Sequence, residues 1–265
     1  MDKFKQLVRI LKEFQSVAVA FSGGVDSMFL AAVAKTKSCI DVVAVTVVSE
    51  FMSGKDIEHA QRMADQLGIR RIVVNTDVMK IEEVVRNVKQ RCYFCKKNLF
   101  SVLKENIAGL GIDCIVHGAN IDDLNDFRPG FKAALEMGII APLIDVGLNK
   151  EEIRFYSKEM GLETWNMPSQ SCLATRIPYG QRLTVEKLVM VEKSEKVLFN
   201  LGFKGVRVRC YDSMARIEMN PQSMKLVWQK DIKDKIVKEF KKIGFLYIAL
   251  DLEGYVSGNM NQSFL

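Results

Sequence analysis

The sequence predicts an α/β protein, a doubly wound parallel sheet followed by a smaller C-terminal α+β domain. Three observations carry this. Up to about residue 165, strand-like apolar runs alternate with helix-like stretches, as they do around a parallel sheet. Near the N-terminus an apolar run (Val17–Phe21), a glycine turn (Ser22–Ser27) and a second apolar stretch (Met28–Ala34) follow one another as strand, turn and helix. Beyond a loop at Met167–Arg182 the order changes to helix, hairpin, helix and strand. The expected division is 1–170 for the first domain and 171–265 for the second.

Each element has its own reason. Ile40–Val48 is almost wholly β-branched, which suits a strand buried on both faces. Ile57–Leu67 reads as a helix stopped by Gly68, and Ile69–Val74 as the next strand. Helix-like stretches follow at Met79–Gln90 and Tyr93–Ala108, with Cys92-Tyr-Phe-Cys95 at their junction. Ile112–His117 is a short strand ended by Gly118-Ala119-Asn120, Asp122–Gly130 is polar and loop-like, and Glu151–Met160 is helical. In the second domain Thr184–Leu201 forms a long helix, Val206–Tyr211 and Ala215–Met219 a hairpin, Lys225–Ile243 a helix and Tyr247–Leu252 a last strand.

Composition excludes several classes. With 48% hydrophobic and 26% charged residues, the 265-residue chain is neither disordered nor membranous. No run of about eighteen apolar residues occurs, so no membrane partner is expected. The start, Met1-Asp-Lys-Phe-Lys5, leads into an amphipathic helical pattern without a signal-peptide core, and a cytoplasmic address is expected. A formal charge of +6 suits nucleotide or phosphorylated ligands.

Ligands of a doubly wound sheet sit at the carboxyl ends of its strands, so Ser22–Ser27 and His117–Asn120 should project from one edge. A glycine turn opening a helix aims backbone N–H groups and the helix dipole at an anion. Two adjacent glycines let the backbone approach phosphate, and Ser22 and Ser27 add hydroxyls. Asp26 fits beside phosphate when a divalent cation lies between. The Gly-Lys-Ser/Thr ending of the Walker pattern is absent. The run Ser22-Gly-Gly-Val-Asp-Ser27 resembles the SGGxDS loop of the PP-loop ATP pyrophosphatases, of the adenine nucleotide alpha hydrolase-like fold. That resemblance implies a grip on the β- and γ-phosphates of ATP while the α-phosphate is attacked. A glycine turn serving only the fold is the alternative.

Six cysteines stand at 39, 92, 95, 114, 172 and 210. Cys39, Cys114 and Cys210 lie in or beside apolar strands and read as core thiols. Cys92 and Cys95 form a C-x-x-C at a helix start, and Cys172 lies in the loop-like stretch Pro168–Arg176. A dithiol redox pair, a structural zinc site, three thiolates on a [4Fe–4S] cluster, and unconnected reduced thiols all remain open on spacing. His117 reads as a strand-end histidine without a catalytic role, and His59 as a helix-surface residue.

The stretches Asn125-Asp-Phe-Arg-Pro-Gly130, Ser171-Cys-Leu-Ala-Thr-Arg-Ile-Pro-Tyr-Gly180, Val206-Arg-Val-Arg209, Ala215-Arg-Ile-Glu218 and Leu250-Asp-Leu-Glu-Gly254 together resemble the LarE family. These are ATP-dependent sulfur transferases that mature the nickel-pincer cofactor of lactate racemase. The likeness runs from the PP-loop to Asn261. It implies adenylation of a carboxylate on a pyridinium mononucleotide, followed by replacement of AMP with sulfur to give a thiocarboxylate. It also implies a homo-oligomer, a hexamer. One branch of the family sacrifices a protein cysteine as the sulfur source. Another has a C-x-x-C and a third cysteine, and uses a [4Fe–4S] cluster fed by a sulfide donor. Aligned on the Arg-x-Pro-Tyr-Gly anchor, the sacrificial cysteine falls at or next to Ser171, which favours the cluster branch with Cys92, Cys95 and Cys172 as ligands.

The resemblance supplies further expectations. Ala20, Ser22, Gly23, Gly24, Asp26 and Ser27 are to bind ATP with Mg²⁺; Val47 and Ser49 are to meet adenine; Gly118, Asn120 and Asp123 are to close the nucleotide site. Asp26, Lys96, Arg128 and Cys172 are the expected catalytic residues, with Lys96 and Arg128 offsetting charge on the carboxylate and α-phosphate. Arg207 and Arg209, two apart on one strand face, are to hold the substrate phosphate in forked hydrogen bonds, with Arg176 as a further substrate contact and Glu195 as a metal or substrate contact; a solvated strand face, and a simple loop cation for Arg176, are the alternatives. A cluster-dependent tRNA thiolase is the rival from another substrate class. No zinc module or basic extension is seen and Asp122-Asp123 flanks the mouth, so nucleic acid is not expected as a partner. An amide-forming synthetase has no use for three site cysteines, and a sensor that lost turnover is the non-catalytic rival.

Overall fold

The computed structural model describes residues 2–124, 129–168 and 171–256. In chain order its elements are α1 (Lys3–Leu11), β1 (Ser16–Ala20), α2 (Val25–Val33), β2 (Asp41–Val48), α3 (Gly54–Gln66), β3 (Arg70–Asn75), α4 (Glu82–Val85), α5 (Arg91–Ile107), β4 (Cys114–His117), α6 (Pro129–Glu136), α7 (Pro142–Asp145), α8 (Lys150–Glu159), α9 (Val185–Asn200), β5 (Arg207–Tyr211), β6 (Met214–Glu218), α10 (Pro221–Val227), α11 (Lys230–Ile243) and β7 (Tyr247–Leu250). Two compact units result. One comprises Met1–Ile81 and Gln90–Gln170, the other Glu82–Lys89 and Ser171–Leu265.

In the first unit a parallel sheet runs in the order β3-β2-β1-β4. Alternate side chains serve two cores, as the strand period requires. Val17, Val19, Val42 and Ala44 face Leu7 and Leu11 of α1, Phe29 and Leu30 of α2, Ala60 and Met63 of α3 and Ile153 of α8. Ala18, Val45 and Val74 face the other way, onto Phe100, Leu103 and Ile107 of α5 and Ala134 of α6. Each large apolar side chain fully buried here contributes about 1.5–3 kcal/mol. The chain winds outward from β1 through β2 to β3 and then returns with β4 on the other side of β1. The strand order therefore reverses between β1 and β4, the crevice where an open α/β sheet binds ligands. Their last residues, Ala20 and His117, are register partners.

Several expected elements differ. The stretch 79–90 is not one helix: a 3₁₀ turn covers Val78–Lys80 and α4 only Glu82–Val85. Asn87 ends the run, at φ 55 and fully buried, with its side-chain amide donating to the carbonyls of Ile177 (3.3 Å) and Pro178 (2.8 Å). Gly180 and Leu183 donate backbone N–H groups to Asn87 and Val85, so 82–89 is built into the second unit. Within the polar stretch 122–130, a 3₁₀ turn spans Ile121–Leu124 and α6 begins at Pro129. The single helix expected over 225–243 is two, because Gln229 is extended at φ −64, ψ 127 and caps α11.

The second unit is a mixed sheet in the order β5-β6-β7. β5 and β6 form the expected hairpin, with Arg209 opposite Arg216 and Asp212 at φ 50 in the turn, while β7 pairs with β6 in parallel. Leu188, Val191 and Leu198 of α9 are buried, as are Val208, Ile217, Phe240 and Phe245. Among the described residues no helix is long and apolar enough to cross a membrane.

Candidate functional site

The loop after β1 turns on Gly23 and starts α2 at Gly24. Gly23 stands at φ +73, and a Cβ there would fall 2.9 Å from the Ala60 Cα of α3, so no side chain fits. Gly24 is extended (φ −74, ψ 170) as the N-cap, and no side chain caps the helix. The first-turn N–H groups of α2 are thus left to an incoming anion. The Ser22 and Ser27 hydroxyls lie 3.2 Å apart, and the Ser27 hydroxyl donates to the Gly24 carbonyl at 3.2 Å.

Residues from β4 and α8 complete this edge. A Cβ on Gly118 would sit 2.8 Å from the Ser27 backbone nitrogen and 2.9 Å from the Asp26 carbonyl carbon, so backbone meets backbone there. Asn120, 3% exposed, donates its side-chain amide to Asp26 Oδ1 at 3.3 Å. The Asn120 backbone N–H donates to Asp123 Oδ2 at 3.0 Å, and the Asn120 side-chain oxygen accepts from the Asp122 N–H at 3.1 Å. The other Asp26 oxygen is ion-paired with the Lys150 ammonium at the start of α8. Lys150 carried no sequence signal, being 124 residues from Asp26. Asn149 and Glu152 form the capping box that fixes the helix start carrying it.

The other expected nucleotide residues lie along the same edge. Ala20 ends β1, half-buried; Val47 is half-buried near the end of β2, opposite Val74. Just beyond β2, Ser49 bends the chain, its carbonyl accepting from the Met52 N–H at 3.0 Å. His59 is not the bare surface residue expected: its Nε2 lies 3.0 Å from the Gly23 carbonyl oxygen. His117 stacks edge-on against Phe100 at 5.9 Å, its Nε2 buried with no hydrogen-bond partner among the described residues. Burial, and then the charge of Lys96, push its pKa down to about 4, so it is neutral at pH 7. The exposed Lys96 ammonium lies 5.5 Å from the Phe100 ring centre. A Cβ on Gly130 would meet Lys96 Cγ at 2.9 Å and the Cys92 carbonyl oxygen at 3.3 Å, so α6 begins directly on the first turns of α5.

The second unit gathers arginines and carboxylates. Arg176, 4% exposed, grips Glu195 with Nε and Nη2 at 2.9 and 3.1 Å. Its Nη1 donates to the carbonyls of Ser171 (2.7 Å) and Cys172 (3.1 Å). Glu195 also accepts the Val208 N–H at 3.1 Å. Both residues are therefore engaged inside the protein, where they hold the Cys172 loop. Arg209 is likewise committed, 5% exposed, to Glu218 at 2.6 Å and the Thr175 carbonyl at 2.9 Å. Glu218, wholly buried, also accepts from Arg216 at 2.8 Å. Arg207 differs from its neighbour: its guanidinium lies 5.3 Å from the Tyr255 ring centre, and burial, then Arg176, lower its pKa.

Comparison with known proteins fits both halves. A PP-loop domain family matches residues 1–127. The chain is 40% identical over 98% of its length to an uncharacterized protein of Synechocystis sp., 97% of which is covered. It is 34% identical over 97% of its length to the pyridinium-3,5-bisthiocarboxylic acid mononucleotide synthase of Lactiplantibacillus plantarum, covering 93% of that protein. The chain belongs to the LarE family. An uncharacterized protein of Methanocaldococcus jannaschii is 31% identical over 97% of the chain and 98% of its own length. As a LarE-family protein with a PP-loop domain, this chain is an ATP-dependent enzyme.

Of the cysteines singled out for a LarE-type site, Cys92 and Cys95 lie three apart on the first turn of α5, on one helix face and half-buried. Cys172 is exposed and precedes the 3₁₀ turn Leu173–Arg176. Among the described residues, no three or more His, Cys, Asp or Glu side chains are grouped so as to hold a metal ion. Burial pushes the thiols of Cys114 and Cys210 up to about 11, so both stay protonated. Cys39 is no core thiol: it is exposed at φ 56, closing the π turn after α2. Arg128 lies outside the described residues.

Proposed function

We propose that this LarE-family enzyme adenylates the carboxylate of a pyridinium mononucleotide-type substrate and replaces AMP with sulfur, giving a thiocarboxylate. The observation that carries this is the glycine loop at the β1–β4 switch point, backed by Asp26, Asn120 and Lys150, in a chain related over nearly its whole length to a pyridinium bisthiocarboxylate mononucleotide synthase. The nickel-pincer cofactor pathway is the setting this implies, and a cytoplasmic compartment would keep the six cysteines reduced.

In this reading the N–H groups of Gly24 and the α2 start and the hydroxyls of Ser22 and Ser27 take the β- and γ-phosphates. Asp26, about a quarter exposed, faces the Mg²⁺ that accompanies ATP. Lys150 then exchanges its carboxylate partner for phosphate. Val47 and Ser49 border adenine, and Gly118, Asn120 and Asp123 form the facing wall. The substrate carboxylate attacks the α-phosphorus and expels pyrophosphate, with Lys96 and Arg128 offsetting the negative charge that gathers there. Arg207 takes the substrate phosphate, while Arg209, Arg176 and Glu195 hold the strand and loop around it. A sulfur nucleophile adds to the acyl carbon and AMP leaves.

For the sulfur source, Cys92, Cys95 and Cys172 are the proposed thiolate ligands of a [4Fe–4S] cluster, which would supply sulfide from an iron left free of protein ligands. A second reading has its own observation: Cys172 is exposed on a loop held by Arg176, as a sacrificial sulfur donor would be. The test is pyrophosphate release on addition of a pyridine-carboxylate mononucleotide, with mass spectrometry of the product. Release that answers to ammonia or tRNA alone overturns the proposal. Anaerobic reconstitution separates the two sulfur sources. About four irons per chain, lost in each cysteine-to-alanine variant, supports the cluster. No bound iron, with Cys172 lighter by the elements of hydrogen sulfide after turnover, supports the sacrificial route. We further propose a homo-oligomer, to be read by light scattering.

A further inference from the structure

We propose that His59, on α3 and outside the PP-loop sequence, is the positioning residue that sets the Gly23–Gly24 peptide so that its N–H and not its carbonyl faces the bound phosphate. The inference rests on the reading of this loop as the ATP site. His59 Nε2 lies 3.0 Å from the Gly23 carbonyl oxygen, which can only accept, so Nε2 carries the proton. Arg62 Nη2 lies 3.4 Å from Nδ1, and a guanidinium can only donate, so Nδ1 is bare. The two neighbours together select the neutral Nε2–H tautomer.

The consequence follows from peptide geometry. Carbonyl and N–H of a trans peptide point in opposite directions. With the Gly23 carbonyl drawn toward α3, the Gly24 N–H points away from that helix and into the loop. There it donates to the Ser22 hydroxyl oxygen at 3.4 Å, a long contact that a phosphate oxygen readily replaces. Within the loop this orientation is held weakly, by that long contact to Ser22. Both flanking residues are glycine, so the peptide can turn over at little steric cost. Turned over, it would set the negative end of the carbonyl against phosphate and bury an N–H against α3. A donor at Nε2 stabilises the productive orientation and opposes the flipped one. The close approach of Gly23 to Ala60, the next residue of α3, shows that the helix supports the loop at this point.

The test compares wild type with His59→Ala, His59→Gln and Arg62→Ala. His59→Ala should weaken binding of a non-hydrolysable ATP analogue about tenfold, or about 1.4 kcal/mol, with the nucleotide-free melting temperature unchanged. The KM for ATP should rise while that for the carboxylate substrate holds. His59→Gln, whose amide can donate at a similar reach, should recover most of the loss, and Arg62→Ala should show a smaller one. With only two histidines in the chain, nitrogen NMR of the imidazoles reads the tautomer directly, the His59→Gln spectrum assigning the signals. An Nε2–H signal for His59 is expected. An Nδ1–H tautomer, or wild-type ATP affinity in His59→Ala, overturns the proposal. Because the tautomer is read in nucleotide-free protein, it decides the point even if the loop proves not to bind ATP.

Discussion

Two ion pairs, one in each unit, show how differently the same chemistry can be used. Lys150 and Asp26 at the PP-loop leave 26% and 24% of their side chains exposed, whereas Arg209 and Glu218 in the hairpin leave 6% and 0%. The first pair has water at hand to solvate either partner when the other leaves, so it can open when Mg²⁺ and phosphate arrive. The second cannot open without stranding a buried charge, and Arg216 shares the same carboxylate. One pair is open to exchange, as the proposed binding role requires. The other is fixed and belongs to architecture.

The largest effect expected from this contrast is on Asp26. Asp26→Ala removes the carboxylate proposed to face the cation at the phosphates, and pyrophosphate release should fall about 10²–10³-fold. Folding should change little, since a partly exposed pair contributes about 0–1 kcal/mol. A large loss of stability with retained adenylation would place Asp26 on the architectural side.

Glu218→Gln should do the reverse. It leaves Arg209 and Arg216 around an uncharged amide in a buried setting, and should cost about 3 kcal/mol of stability in urea denaturation. ATP affinity should hold. Weakened nucleotide binding without unfolding would make the arginine cluster part of the nucleotide site.

The histidines extend the comparison to pH, because both, His59 and His117, belong to the first unit. His117 titrates at about 4 when folded, because of burial and then Lys96, against about 6.5 in an unfolded chain. Between these values the unfolded chain binds a proton that the folded one refuses, so stability rises with pH across the window. It is fully present above about 6.5 and falls by on the order of 3 kcal/mol as pH drops to 4. Hydrogen exchange should show protection lost first in β1 and β4 over that range, with β5 and β6 unaffected, and His117→Phe should remove the step. An unchanged profile in His117→Phe would show that the imidazole is not the cause.

What is legible in the sequence divides along the same line. The PP-loop can be read from six residues because two glycines and a helix start form a local pattern, although α3 packs against the loop from far along the chain. The hairpin and the alternating sheet were likewise visible in apolar period. The arginines were visible too, but not their commitments, because Arg176 meets Glu195 and Arg209 meets Glu218 only once strand and helix have packed. Arg209, expected with Arg207 to fork onto a substrate phosphate, donates one guanidinium nitrogen to Glu218, while the Arg207 guanidinium stands against the Tyr255 ring. The false helix over 79–90 has the same origin. Its apolar spacing was real, but Asn87 takes a left-handed backbone to reach the carbonyls of Ile177 and Pro178, some ninety residues away.

Lys150 provides the smallest and most discriminating test. In the proposed function its removal frees Asp26 for the cation but deletes the charge-assisted bond to phosphate, worth about 1.5–3 kcal/mol. The two changes oppose each other, so Lys150→Ala should weaken ATP binding by about tenfold at saturating Mg²⁺. Without nucleotide the variant should melt within a degree or two of wild type, as the partly exposed pair predicts. If Lys150 only tethers α8 to the loop, the result inverts: stability falls and ATP affinity, corrected for folding, does not. Titrating the analogue at several Mg²⁺ concentrations separates the outcomes, since an exchangeable lysine competes with the cation for Asp26 and a structural one does not.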